Sequence, residues 1–333
     1  MVGIMQLIVM DLEWNQSSTG LEPEVAKMPF EIIEIGAIKL NDSYDMVGEF
    51  SELIKPVVYP RLYHITSKLI HLQMKELQRG GKFTEIGKNF LDWCGDEYML
   101  CTWGPADVLE LQRNLRFFEL PLLNDGPVAY MDVQKLFALA FDTDKKSRRN
   151  LEYAVDFLNI EKDIPFHRAF SDAYYTAKVL AKIAAEHEDV LKFISYDVTF
   201  PPADKKSEIF KDFGTYSKHI YRSFDNRDAL LRNREIMTIC CTLCGKPIKR
   251  KIKWFTINGK QYFSAGICEK HGVVKNRVKI QKYDDDRACA IKIVKPIDDD
   301  GLEKLQEKAA KAEELRKKRK EAEKRAKEMK SGN

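Results

Sequence analysis

The chain has 333 residues, 44% of them apolar, which is enough for one large core and a smaller second module. No stretch approaches the ~20 consecutive apolar residues of a membrane helix, and the N-terminus lacks a basic region and a small-residue cleavage site, so neither a membrane partner nor a signal peptide is expected. The net charge of +4 conceals a division: residues 1–239 carry 29 Lys and Arg against 37 Asp and Glu, residues 240–300 carry 14 against 7, and residues 301–333 carry 12 against 7. An acidic front is joined to a basic rear, where attraction for phosphate would reside. The seven cysteines, several in metal-ligand spacing, point to a reducing compartment, the cytoplasm, and not to a disulfide framework.

Residues 4–10, a short apolar run rich in branched side chains, predict a buried strand. Asp11 and Glu13 then project together from its C-terminal end, because side chains two apart share a face. Residues 31–40 and 46–54 predict two more strands of an antiparallel meander, with a Gly, Glu and Pro loop between Ser17 and Pro29. Phe83, Ile86, Phe90 and Trp93 mark a helical stripe, and a strand at 97–102 leads into a helix at 105–118 with Asp107 in its first turn. Residues 128–131 read as the last core strand, followed by a helix through Phe141. Asp142 to Arg149 reads as a solvated loop with four cations, with phosphate contact as the alternative. Asn150 caps a helix at 151–158. Ala173, Ala177, Leu180, Ala181 and Ala184 define a further helix that carries Asp172 near its start, with His167 on the loop after Pro165. A meander followed by strand–helix alternation predicts an α/β fold with a mixed five-stranded sheet flanked by helices.

The chemistry lies in Asp11, Glu13, Asp107, His167 and Asp172. An Asp-x-Glu at a strand end is by itself usually solvated, and an acid in a first helical turn merely complements the helix dipole. Together these residues are the hard oxygen donors that suit two Mg²⁺ or Mn²⁺ ions, with a histidine available to take a proton from an attacking water. In this order the residues resemble the DEDDh family of 3′-to-5′ exonucleases, which have a ribonuclease H-like fold. The first motif matches Asp11 and Glu13, the second Asp107, and the third, His-x-Ala-x-x-Asp, matches His167, Ala169 and Asp172. The segment at 31–40 resembles the family's second strand. The Trp-Gly-x-x-Asp form around Asp107 is similar to the RNA-trimming and sporulation-inhibitor-like branch. The resemblance implies that Asp11, Glu13 and Asp172 hold one metal, that Asp11 and Asp107 hold the other, and that His167 is the general base. Many members have Thr where this chain has Trp14, which either stacks on the terminal base or packs against the sheet.

In the rear half, Cys241-Thr-Leu-Cys244 and Cys268-Glu-Lys-His271, each followed by Gly, resemble the two knuckles of a zinc ribbon. Between them lie a strand, an Asn258-Gly259 turn and a return strand. Thiolate and imidazole donors select one structural Zn²⁺, with Cys240 an alternative to Cys241. Residues 240–283 hold eleven cations against one acid, Glu269, and interleave aromatics, so Lys251, Lys253 and Trp254 are candidate contacts to single-stranded nucleic acid. The expected organisation is an exonuclease domain at 1–195, a linker at 196–239, a basic zinc-ribbon-like module at 240–295, and a charged helical or disordered tail at 296–333. The expected function is a 3′-to-5′ exonuclease on single-stranded RNA, in preference to DNA. The alternative is a nucleic-acid-binding regulatory protein whose nuclease domain is weak or serves in interaction.

Overall fold

The computed structural model describes residues 6–17, 23–70, 72–143, 148–283 and 285–331. Parts of the expectations above fall outside them: the first two residues of the opening strand, residues 18–22 of the following loop, and residues 144–147 of the cationic loop. The chain divides into two units, residues 1–200 and 201–333.

In the first unit, β1 (Gln6–Gln16), β2 (Phe30–Leu40) and β3 (Met46–Leu53) form the expected meander. Between them and the next strand lie α1 (His64–Ile70), α2 (Met74–Leu77) and α3 (Phe83–Cys94). There follow β4 (Tyr98–Thr102), α4 (Ala106–Phe117), β5 (Val128–Asp132), α5 (Val133–Phe141), α6 (Leu151–Phe157) and α7 (Ala169–Glu186). The sheet has six strands, not five, in the order β3-β2-β1-β4-β5-β6. The extra strand, β6 (Ser195–Asp197), pairs antiparallel with Val128–Tyr130; three residues are too few to display an alternating pattern in sequence. Strands β4 and β5 run parallel to β1, so the sheet is mixed as expected.

The alternation along β1 sorts its side chains. Ile8, Met10 and Leu12 enter a core with Phe83, Phe90, Val108 and Leu111 from the helices. Asp11 and Glu13 lie on the other face, where α7 packs across β1 and β2. That helix can lie so close because of one residue. Gly36 is the cross-strand partner of Asp11, and a Cβ there would come within 2.0 Å of Phe170 N and 2.1 Å of the Ala169 carbonyl carbon. Backbone cannot yield as a flexible side chain can, so this contact admits only glycine.

The second unit corrects the expected linker. Residues 196–239 contain β6 of the first unit and then β7 (Ile209–Asp212), β8 (Ser217–Phe224), α8 (Arg227–Arg232) and α9 (Arg234–Met237). These short elements are dense in charge, which hid their pattern. With β9 (Lys249–Thr256), β10 (Gln261–Cys268), β11 (Gly272–Lys282) and β12 (Ala288–Pro296), the strands form an antiparallel sheet in the order β7-β8-β12-β11-β10-β9. The module is therefore larger than a zinc ribbon. One face buries Tyr221, Leu230, Ile236, Val278 and Ala290 beneath α8 and α9. The last helix, α10 (Asp299–Ser331), is not solvated throughout: Leu305 packs with Phe263, Ala265, Ile252 and Phe255. No described helix is long and apolar enough to cross a membrane.

Replacing Gly36 with Ala is expected to force α7 off the sheet and lower the melting midpoint by about 5–10 °C. Thermal unfolding followed by circular dichroism checks this; a midpoint within about 1 °C of the parent contradicts the packing argument.

Candidate active site

The three elements named above meet at the C-terminal part of β1. Carboxylate oxygens of Asp11, Glu13 and Asp172 all lie within 4.8 Å of one another. Asp107 joins them from the first turn of α4, buried. Its aim is set by the backbone. The β1–β4 pairing ends at Val9, and beyond it the Leu12 N–H donates to Asp107 Oδ1 at 3.2 Å. The same helix holds the neighbouring strand, because Asn114 accepts from Ile32 N at 3.1 Å and donates to Phe30 O at 2.9 Å.

Burial and mutual repulsion dominate the electrostatics. Burial, then Asp107, Glu13 and Asp172 in that order, pushes the Asp11 carboxyl well above the usual carboxylate range. Glu13 is pushed up to about 8 by burial and then by Asp172, Glu34 and Asp107, against a smaller opposing pull from Arg168. Burial lifts Asp107 to about 7 despite the N–H bonds it accepts. Asp172 is also raised by burial, with the His167 N–H, donated at 3.3 Å, pulling the other way. Carboxylates gathered this closely want a cation, and oxygen donors of this kind fit a hard divalent one.

His167 is exposed on the loop before α7, and its backbone has φ of +67°, a left-handed conformation uncommon for a residue with a Cβ. Its N–H bond to Asp172 ties the loop to the cluster at the backbone, and the imidazole remains at the surface. The next residue was missed in the sequence. Arg168 makes a bidentate pair with buried Glu34, Nη2 to Oε1 at 2.8 Å and Nε to Oε2 at 3.0 Å. Since Glu34 is the cross-strand partner of Glu13, this pair clamps the start of α7 to β2 beside the cluster. An Asn two residues beyond Glu13 was also missed. Buried Asn15 donates to the carbonyls of Tyr59 and Arg61 and accepts from Tyr63 N, while Glu31 accepts from the N–H groups of Val57, Val58 and Tyr59. Together they pin residues 57–63 beside the active end of β1. Only a run of polar residues inside strands signalled these roles.

Other expectations resolve by position. Trp14 pairs with Ile32 and packs on the core face, 5.7 Å from the Phe30 ring, opposite Asp11 and Glu13, so of its two roles the structure supports packing. Of the cationic loop's described arginines, Arg148 reaches Asp132 at 3.4 Å and Arg149 reaches Asp142 at 3.6 Å. In the second unit, Cys241, Cys244, Cys268 and His271 converge within the same 4.8 Å limit, and Cys240 is not among them. Cys241 Sγ lies 3.4 Å from His271 Nδ1 and Cys244 Sγ lies 3.9 Å from Cys268 Sγ. The N–H groups of Lys270 and then His271 pull the Cys268 thiol down to about 6, as a thiolate ligand requires. Gly245 and Gly272, following each pair, have φ of +67° and +74°. Lys251 and Lys253 are exposed, but Trp254 is turned inward and donates its indole N–H to Met237 O at 2.8 Å. A bulge in the β9–β10 ladder puts Ile252 and Trp254 on opposite faces.

A profile of the Exonuclease family matches residues 8–180, and the chain belongs to that family. It is a nuclease, a hydrolase of nucleic acids. Similar solved structures include the nuclease domain of 3′hExo, a DEDDh family member, bound to rAMP, at 17% identity and a TM-score of 0.46, covering 56% of this chain and 94% of that one. Another is S. pombe Pop2p in its Mg²⁺- and Mn²⁺-bound form, at 15% identity and a TM-score of 0.42, covering 55% and 84%. A third is E. coli exonuclease I with a dA16 oligonucleotide, at 10% identity and a TM-score of 0.47, covering 79% and 55%. No curated protein matches the chain.

The raised carboxylates set a pH dependence. Glu13 and Asp107 bind protons more tightly folded than unfolded, so without divalent metal the fold loses stability as pH rises through about 7 to 8. Melting midpoints of metal-free protein are expected to fall by several degrees between about pH 5.5 and 8.5, and millimolar Mn²⁺ is expected to flatten that slope.

Proposed function

We propose that this chain is a divalent-metal-dependent 3′-to-5′ exonuclease of single-stranded ends, acting on RNA in preference to DNA and releasing nucleoside 5′-monophosphates. The observation that carries the proposal is the convergence of Asp11, Glu13 and Asp172 within 4.8 Å, beside a buried Asp107. In this reading Asp11, Glu13 and Asp172 hold one Mg²⁺ or Mn²⁺, and Asp11 and Asp107 hold the second. When bound there, such ions would supply charge neutralisation at the phosphodiester and a more acidic attacking water. The residues of the chain do the rest. His167, exposed on a loop tethered to Asp172, takes the proton from that water. Arg168, held by Glu34, keeps the base of the loop in place, and the Leu12 N–H keeps Asp107 aimed. The RNA preference rests on the form of the second motif, Trp103-Gly104-Pro105-Ala106-Asp107. Its turn is built by Gly104, at φ of +100°, with Thr102 Oγ1 donating to the Gly104 carbonyl at 2.6 Å.

Cys241, Cys244, Cys268 and His271 are assigned one structural Zn²⁺; the soft donors and the lowered Cys268 thiol support it.

Two experiments follow. With Mg²⁺, the protein is expected to shorten a 5′-labelled oligoribonucleotide stepwise from its 3′ end, faster than the matched DNA. Asp11→Asn abolishes the reaction and His167→Ala lowers kcat by about 10²–10⁴; wild-type rates in both variants overturn the assignment. Separately, elemental analysis is expected to return about one zinc per chain, lost in Cys244→Ser together with the cooperative unfolding of the second unit.

A further inference from the structure

The six strands of the second unit carry thirteen Lys and Arg but a single acid, Asp212. The strand register sorts these charges by face. Arg277 pairs with Phe263 on one side and Ile293 on the other, and Ile293 pairs in turn with Lys218. Lys275 pairs with Ala265 and Lys295, and Lys279 with Gln261 and Ile291. Lys211 pairs with Lys218. Directly paired residues share a face, so Lys211, Lys218, Lys275, Arg277, Lys279 and Lys295 all lie on the face away from α8 and α9. Asp212 points the other way, being one residue out of step with Lys211. That face therefore has no acidic side chain on any of its strands.

Arg277 is the centre of this face. It is half-buried between apolar cross-strand neighbours, and among the described residues its guanidinium has no ion pair. Burial pulls it below its usual pKa, the mark of a cation whose charge the fold does not answer. Along β11, Lys275, Arg277 and Lys279 repeat at roughly 6.7 Å, a spacing at which each can meet a separate phosphate of an extended strand. Of the aromatics on this face, Phe263 is closed to bases and its partner Phe255 packs, half-buried, in the same cluster. Phe263 is 5% exposed, with Lys308 of α10 3.9 Å and Lys275 5.6 Å from its ring centre.

We infer that this face of the second unit, centred on Arg277 and bordered by Lys275, Lys279 and Lys295, is a binding surface for the phosphate backbone of single-stranded RNA. This rests on the nuclease reading for its ligand, and it moves the grip from the β9 residues Lys251 and Lys253 to β11 and its neighbours. With Phe263 covered and Phe255 packed beside it against the residues around Leu305, the Arg277 surface reads charge and not base identity.

The test uses the full chain with Asp11→Asn to prevent degradation and with no chelator, which would strip the Cys/His site. A fluorescein-labelled oligoadenylate of about 30 nucleotides is titrated at several salt concentrations. Arg277→Gln with Lys279→Gln is expected to weaken binding about tenfold and to reduce the slope of log affinity against log salt by about 1.4, the value for two lost phosphate contacts to a single strand. Arg277→Lys, which keeps the charge, retains the slope, and an oligouridylate of the same length binds alike. Unchanged affinity and slope in the double variant, or the whole loss appearing in Lys251→Gln with Lys253→Gln instead, overturns the inference. Arg277-dependent binding by a chain that never shortens RNA supports this surface while removing the nuclease reading. Shortening by a chain otherwise wild type, whose double variant binds RNA as tightly as the parent, does the reverse.

Discussion

Everything at the active end depends on how closely one helix lies on one strand. At Gly36 the backbone of α7 touches the backbone of β2, with no room for even a methyl group. Because Gly36 is opposite Asp11, that contact brings the first turn of α7, with Asp172 in it, over the residues that β1 presents. A side chain at position 36 would act as a spacer between the helix and the strand, and the carboxylates would no longer share one small volume. The geometry of the site is thus set by a missing atom in a residue that contributes no chemistry.

That closeness gathers negative charge where water is scarce, and the fold answers it in two ways. Arg168 and Glu34 form a pair at the helix start, which secures the junction without neutralising Asp11 or Glu13. The remaining repulsion is left in place, visible in carboxyls lifted toward and above neutral pH. A site that is uncomfortable when empty binds a cation with part of the folding free energy, since metal occupancy relieves repulsion already present. The two units divide the labour by sign: crowded carboxylates in one, and in the other a sheet whose strands carry almost no acid.

The acidic site was legible in the sequence because its chemistry is bound to local pattern. Asp11 and Glu13 end an apolar run, Asp107 opens a helix, and Asp172 begins an alanine-rich one, so residue type and element boundary coincide. The zinc-type donors were legible for the same reason, including the glycines whose positive φ the turns need. What stayed hidden is whatever depends on long-range pairing. Glu34 and Asn15 are polar residues within strands and Asn114 is one within a helix, and nothing local says that Glu34 meets an arginine 134 positions away. The segment read as a linker failed similarly, because β7 and β8 gain their apolar face only from β12, some 70 residues later. Trp254 misled because a bulge changed the parity of β9, which no alternation rule anticipates.

The bond from the Leu12 N–H to Asp107 has a consequence for how such a chain can change over time. An amide in place of that carboxylate still offers an oxygen to the same N–H, so the strand end stays satisfied while a hard ligand is lost. Alanine would instead orphan a buried donor and charge the fold for it. The route from active enzyme to silent scaffold is therefore a single isosteric replacement with little structural trace. A descendant that had taken it would keep the shape of a nuclease, and only the identity of one atom would betray the loss.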